Sequence, residues 1–298
     1  MSYLPYLALV ENIIAISSQF IAIGLWIEIL HANFVCRQRL RCEIADSMLL
    51  FLVCHTLFSI SDLPYRIYAI VQWQKLTEHP YLAFWVNILD GNYFATAPCF
   101  LLFLTIDRLL VLKLSYAASQ TARKILLYST VALVIFLVAG STVIFLVELP
   151  LDLEYAKKCT AISCIVVKFK GLPQLVSRIT FDTLSLCCSS LFFYLLPETG
   201  KSKQNNRVVK FSIFCEVLLN IIPGYVNLAF NSITGKNASS YVGEYTKMFF
   251  MIETACCAVY YSCVFLKRKR PVKILPTAHF RSSSDNTKSY IAFKRSCA

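Results

Sequence analysis

Seven apolar runs, each long enough to cross a bilayer, govern what this chain can become. They span about 7–30, 44–70, 84–112, 125–147, 173–196, 209–231 and 244–266. At about 1.5 Å of rise per residue, each covers the roughly 30 Å of a hydrocarbon core. Lipid offers no partner to an exposed backbone N–H or C=O, so the runs must be helices rather than an open sheet. The expected fold is an all-α membrane protein. Residues 1–266 form a seven-transmembrane-helix bundle, and residues 267–298 a cytoplasmic tail, basic at its start and rich in Ser beyond it.

Composition supports this and removes the competitors. Hydrophobic residues make up 57% of the 298 and charged residues 15%, against about 25% charge in soluble domains. A water-soluble exterior and a disordered chain are both excluded. The net charge of +12 is not read as a nucleic-acid footprint, because the basic residues fall in short clusters between the apolar runs. Most of the thirteen cysteines lie inside those runs (Cys54, Cys99, Cys187, Cys188, Cys215, Cys256, Cys257 and Cys263). They are expected to be reduced packing residues. No basic n-region precedes the first run, so that run is read as a helix that also serves as the targeting signal.

The basic residues set an expected orientation. The loops at 31–43, 113–124 and 197–208, the base of span six and the tail hold 19 Lys and Arg, and the opposite side holds seven. Positive charge accumulates on the cytoplasmic side, so the N-terminus is expected outside and the C-terminus inside. Asn237-Ala238-Ser239 is a glycosylation sequon, and this topology puts it in an outside loop. Cys159 and Cys164 stand in the longest outside loop, about 148–172, where an oxidising exterior permits a bridge between them. The Lys267–Arg270 run is a stop signal beside anionic inner-leaflet lipid. Ser282, Ser283, Ser284, Thr287 and Ser289 leave open a phosphorylation-controlled docking segment.

Charged residues inside apolar spans are costly, so each should face the bundle and have a partner. Asp90 lies eighteen residues before Arg108, which is five helical turns and therefore one face. Asp90 is a candidate ligand contact near the top of span three; the competing reading is a helix-end Asp solvated at the outer surface, or paired with Arg66 or Arg178. Arg178 and Asp182, four apart on span five, can pair. Glu253 lies well inside span seven. With Asp90 these three outline a candidate ligand cavity; interhelical glue is the competing reading. Asp62 and Arg66, also four apart, read as an interfacial pair at the outer end of span two. Pro223 sits inside span six and kinks it.

Nothing points to catalysis, a cofactor or a metal. The four histidines (His31, His55, His79 and His279) are scattered, without metal-ligand spacing. No phosphate-cradling loop or nucleophile motif is present.

Span three ends Thr105-Ile106-Asp107-Arg108-Leu109, and span seven ends Val259-Tyr260-Tyr261. With compact loops and a short basic tail, over nearly the whole chain, these features resemble the nematode serpentine chemosensory receptors, a G-protein-coupled superfamily. The Tyr usual after the acid–Arg pair is Leu109 here, and the Asn-Pro of a rhodopsin-like seventh span is missing. These departures suit a divergent chemoreceptor better than an amine or peptide receptor. The resemblance implies that a small external ligand enters the outer half of the bundle. It implies that Asp107 and Arg108 neutralise each other at rest, and that span six swings about Pro223. A heterotrimeric G protein would then dock near Arg108, with Tyr261 in the activation segment. The membrane implied is the plasma or ciliary membrane of a sensory cell. The alternative is a seven-span transporter or ligand-gated channel, although no internal repeat is evident.

Overall fold

The structure is a computed structural model that describes residues 4–35, 40, 44–73, 78–114, 116–151, 172–195, 203–234 and 243–266. Cys159, Cys164, Asn237 and the tail lie outside the described residues.

Among the described residues, seven helices are long and apolar enough to cross a membrane, which is the architecture of a multi-pass membrane protein. Span one is Leu4–Phe34, span two Asp46–Val71, span three Pro80–Lys113, span four Tyr116–Val147 and span five Leu172–Leu195. Span six comes in three pieces: an α-helix at Lys203–Glu216, a π-helical turn at Val217–Ile221 and a second α-helix at Ile222–Thr234. Span seven is Tyr245–Phe265. No strand is present among the described residues; Leu40 and Leu266 form an isolated antiparallel bridge.

The largest departure from the expected boundaries is at span four. Its helix starts nine residues before 125, at Tyr116. The stretch Tyr116–Lys124 is too polar to count as apolar span, but Ala117, Ala118, Gln120 and Ala122 are good helix formers. Helical structure therefore continues past the apolar limit.

In lipid, helices associate through close packing and interhelical hydrogen bonds, since the tails are as apolar as the side chains. Span three is the hub. In its most apolar stretch 61% of residues are buried, against 22% in span four, which lies at the periphery. Small residues let its neighbours approach: Ala83, Gly91, Ala95, Ala97 and Cys99 are all buried. Span three packs on spans two, four and five, and span one packs on spans two and seven. Ala15, Ala22 and Ala32 of span one are at most 1% exposed, and Ala258 of span seven is fully buried. Outward faces are apolar, as at Ile135, Phe136 and Val143 of span four. The eight cysteines expected within the spans are free thiols.

Candidate functional site

Two polar clusters lie at different depths inside the bundle. The four candidate ligand contacts divide between them instead of lining one cavity. Odd-numbered spans start at the N-terminal side of the bundle and end at the opposite, C-terminal side.

The first cluster is near the N-terminal side and centres on Arg66. Its Nε donates to Asp62 Oδ2 at 3.0 Å, its Nη2 to Asp90 Oδ1 at 3.1 Å and its Nη1 to Asn12 Oδ1 at 3.3 Å. Lys247 of span seven pairs with the other oxygen of Asp90 and lies 3.5 Å from Glu244. Tyr65 donates to Glu244 at 2.6 Å, and Gln19 Nε2 donates to Asp62 at 3.1 Å. The backbone N–H of Glu244 donates to Glu11 Oε2 at 2.8 Å. Gly243 precedes it at φ +83°, and a Cβ there would run into that same Glu11 carboxylate. Spans one, two, three and seven are tied together at this one point.

Two expectations change here. Asp62 and Arg66 do pair, but both are at most 1% exposed, so the pair is interior rather than interfacial. Aromatic and apolar packing around Tyr65, Phe84 and Phe145 encloses this end of the bundle. Asp90 faces the bundle as expected, yet both its oxygens are ion-paired within the protein. Its nearest cations are Arg66 and Lys247, not Arg178.

The second cluster lies deeper, across spans five, six and seven. Arg178 and Asp182 approach to 3.6 Å. Arg178 also donates through Nη2 to Asn220 Oδ1. Asn220 in turn donates to Glu253 and to Glu216 Oε2 at 3.2 Å. The guanidinium sits over the Phe94 ring at 3.8 Å and near the Phe250 ring at 5.4 Å, a geometry in which a ring quadrupole attracts a cation. Asn220 belongs to the π turn. One arginine, one amide and three carboxylates thus converge where span six departs from α-helical geometry.

Above this cluster the inward face of span five has unmet hydrogen-bonding capacity. Among the described residues, sixteen buried side-chain polar atoms lack a hydrogen-bond partner, and six belong to Gln174, Ser177, Arg178 and Asp182. These four share one face at helical spacing. Asn227 Oδ1 of span six is in the same condition.

At the C-terminal side, Asp107 accepts from Ser47 Oγ at 2.8 Å and from Arg123 Nε at 2.6 Å. Arg108 Nε is 3.7 Å from Asp107 and has no hydrogen-bond partner. The expected Asp107–Arg108 ion pair is present, at the longer distance of 3.7 Å, and Asp107 has two further partners. Asp107 is held by spans two and four, and Arg108 is only loosely attached to it. Ser47 and Arg123 each take one oxygen of the Asp107 carboxylate. Tyr261 is fully buried, and its hydroxyl meets Ser212 Oγ of span six at 2.5 Å. Pro223 stands two residues after the π turn.

Several members of these clusters escape a reading by spacing. Lys247 and Glu244 look like loop charges beside the start of span seven. Glu11, Asn12 and Gln19 lie in a run so apolar that they pass as isolated exceptions. Glu216 and Asn220 carried the better signal: a carboxylate and an amide one turn apart inside an apolar span. No group of three or more metal-ligating side chains forms a metal site among the described residues. No family model, curated protein or solved structure matches this chain.

Proposed function

We propose that this protein is a chemosensory receptor that binds a small external ligand within the bundle and activates a heterotrimeric G protein. The observation that carries the reading is the span-five face of Gln174, Ser177 and Arg178, with unmet hydrogen bonds, joined through Arg178–Asn220 to the π turn of span six. A ligand that supplied partners to this face would draw on Arg178 and so bear on Asn220, Glu253 and Glu216. It would favour one packing of spans five, six and seven over another, shifting a population present without it. Pro223 has no N–H to complete the helix, and its natural acceptor, Leu219 C=O, falls inside the π turn. Bending is easiest there.

In this reading the N-terminus is outside, as the Lys and Arg distribution favours, and the G protein meets the C-terminal side. Arg108, loosely held by Asp107, is the donor offered to it. Asp107 keeps spans two, three and four together while span six moves. The setting is the plasma or ciliary membrane of a sensory cell.

A transporter or channel is the second reading. It is favoured by the buried carboxylates Asp62, Glu216 and Glu253, since intramembrane acids also mark ion pathways. One experiment separates the two. Both termini are tagged in an expressing cell, Asn237 is tested for glycosidase-sensitive mass, and G-protein activation is compared between wild type and Arg108→Ala. The receptor reading expects an outside N-terminus and at least a tenfold loss of activation at unchanged surface abundance, of the order of a lost charged hydrogen bond. An inside N-terminus overturns it.

A further inference from the structure

The two polar clusters are almost joined. From Asp62 the path runs through Gln19 Nε2, which also donates to the Ser59 carbonyl at 2.6 Å. Ser59 Oγ meets Tyr93 OH at 3.3 Å, and Tyr93 OH meets His55 Nδ1 at 2.9 Å. On the other side Glu216 and Glu253 both bind Asn220. Between His55 and the two glutamates lies a cavity of about 20 Å³. Three side chains that line it carry polar atoms with no protein partner: Trp26 Nε1, His55 Nε2 and Glu216 Oε1. All three residues are at least nine-tenths buried.

We infer that this cavity is a site for one ordered water molecule, which closes the hydrogen-bonded chain from the Arg66 cluster to the π turn of span six. The size fits, because a cavity needs about 10–15 Å³ and two to four polar partners to hold a water. The chemistry fits equally. Trp26 Nε1–H can only donate, so the occupant must accept. Glu216 Oε1 accepts, and so does His55 Nε2 in the tautomer that gives its Nδ1–H to Tyr93. An occupant that accepts once and donates twice is water. A bare cation does not suit the site, since the indole N–H would point its positive end at it. With water in place, spans one, two and six share one junction beside the kink. A rearrangement of the Arg66 cluster then reaches span six without any backbone contact between them. The inference does not rest on the receptor reading and holds for a transporter as well.

The test uses the full chain in lipid nanodiscs. A structure at a resolution that shows solvent should contain a peak within hydrogen-bond distance of Trp26 Nε1, His55 Nε2 and Glu216. In parallel, Ala97→Val puts two methyl groups into the cavity wall. Filling an apolar void raises the melting temperature, whereas displacing a bonded water leaves three polar groups unmet and lowers it. The expected result is the solvent peak, with an Ala97→Val midpoint several degrees below wild type. The wild-type midpoint should not change when choline chloride replaces sodium chloride. Absence of the solvent peak overturns the inference whatever the Ala97→Val midpoint, since overpacking alone can lower that midpoint, and so does a wild-type midpoint that depends on sodium. If Ala97→Val does not fold, the wild-type structure alone decides.

Discussion

Arg66 is fixed by more partners than any other residue described in the bundle. It reaches Asp62, Asp90, Asn12 and the edge of Glu244 while only 1% exposed. Removing one partner of a buried ion network costs more than removing a pair together, because the survivor keeps its desolvation penalty without compensation. Arg66→Met should therefore destabilise the folded protein by about 3–5 kcal/mol. Asp62→Leu with Arg66→Met should recover much of that loss, since Asp90 retains Lys247. Thermal unfolding of the purified proteins in detergent, read side by side, checks both. At this scale the sequence is informative about cost but not about partners. That Asp62 and Arg66 pair follows from their spacing of four, as it does for Arg178 and Asp182. That Lys247 pairs with Asp90 does not, because 157 residues separate them and only the fold brings spans three and seven together.

The elements themselves were largely visible in the hydropathy pattern, because lipid forces each apolar run to satisfy its own backbone. Their faces were not. A run that is apolar all round carries little periodic signal, so the sequence cannot say which side meets a neighbour. Span three shows this. Gly91 is a notch into which the Phe145 ring of span four fits, and a Cβ on Gly91 would stand 2.5 Å from that ring. Nearby, Asn92 Nδ2 donates to Thr142 at 2.9 Å across the same seam, and Phe84 packs edge-on against Phe145. Gly91→Val should cost about 1–3 kcal/mol by overpacking, and Phe145→Ala introduced with it should restore part of the loss. The melting temperatures of the single and double variants decide this. Span six carries the complementary lesson. Its proline announces a bend, but the π turn ahead of it, whose Asn220 bonds both Glu216 and Glu253 of span seven, is recorded by no local pattern.

Over the whole molecule, the spans close into a ring, with the first beside the last. The junction is made at both levels of the wall: Glu11 takes the Glu244 N–H, and Ala15 packs in one cluster with Met251. A chain stopped at residue 242 retains six spans but leaves Asp90 with only Arg66 and leaves span one with span two alone. Such a chain should fall to a small fraction of wild-type surface abundance. Supplying residues 243–298 as a separate polypeptide should rescue it. Surface labelling of the two preparations would show it, and a truncated chain that reaches the surface normally would refute the closure argument.

That closure has a consequence for biosynthesis. Span one leaves the ribosome more than two hundred residues before the segment that covers it, and Arg66 and Asp90 enter the lipid long before Lys247 is made. Throughout that interval Asp90 has Arg66 but not Lys247, so one of its two ion pairs is still unmade. Closure of the bundle therefore waits on the last helix to be made, because only it supplies Lys247 to Asp90 and the backbone N–H that Glu11 takes.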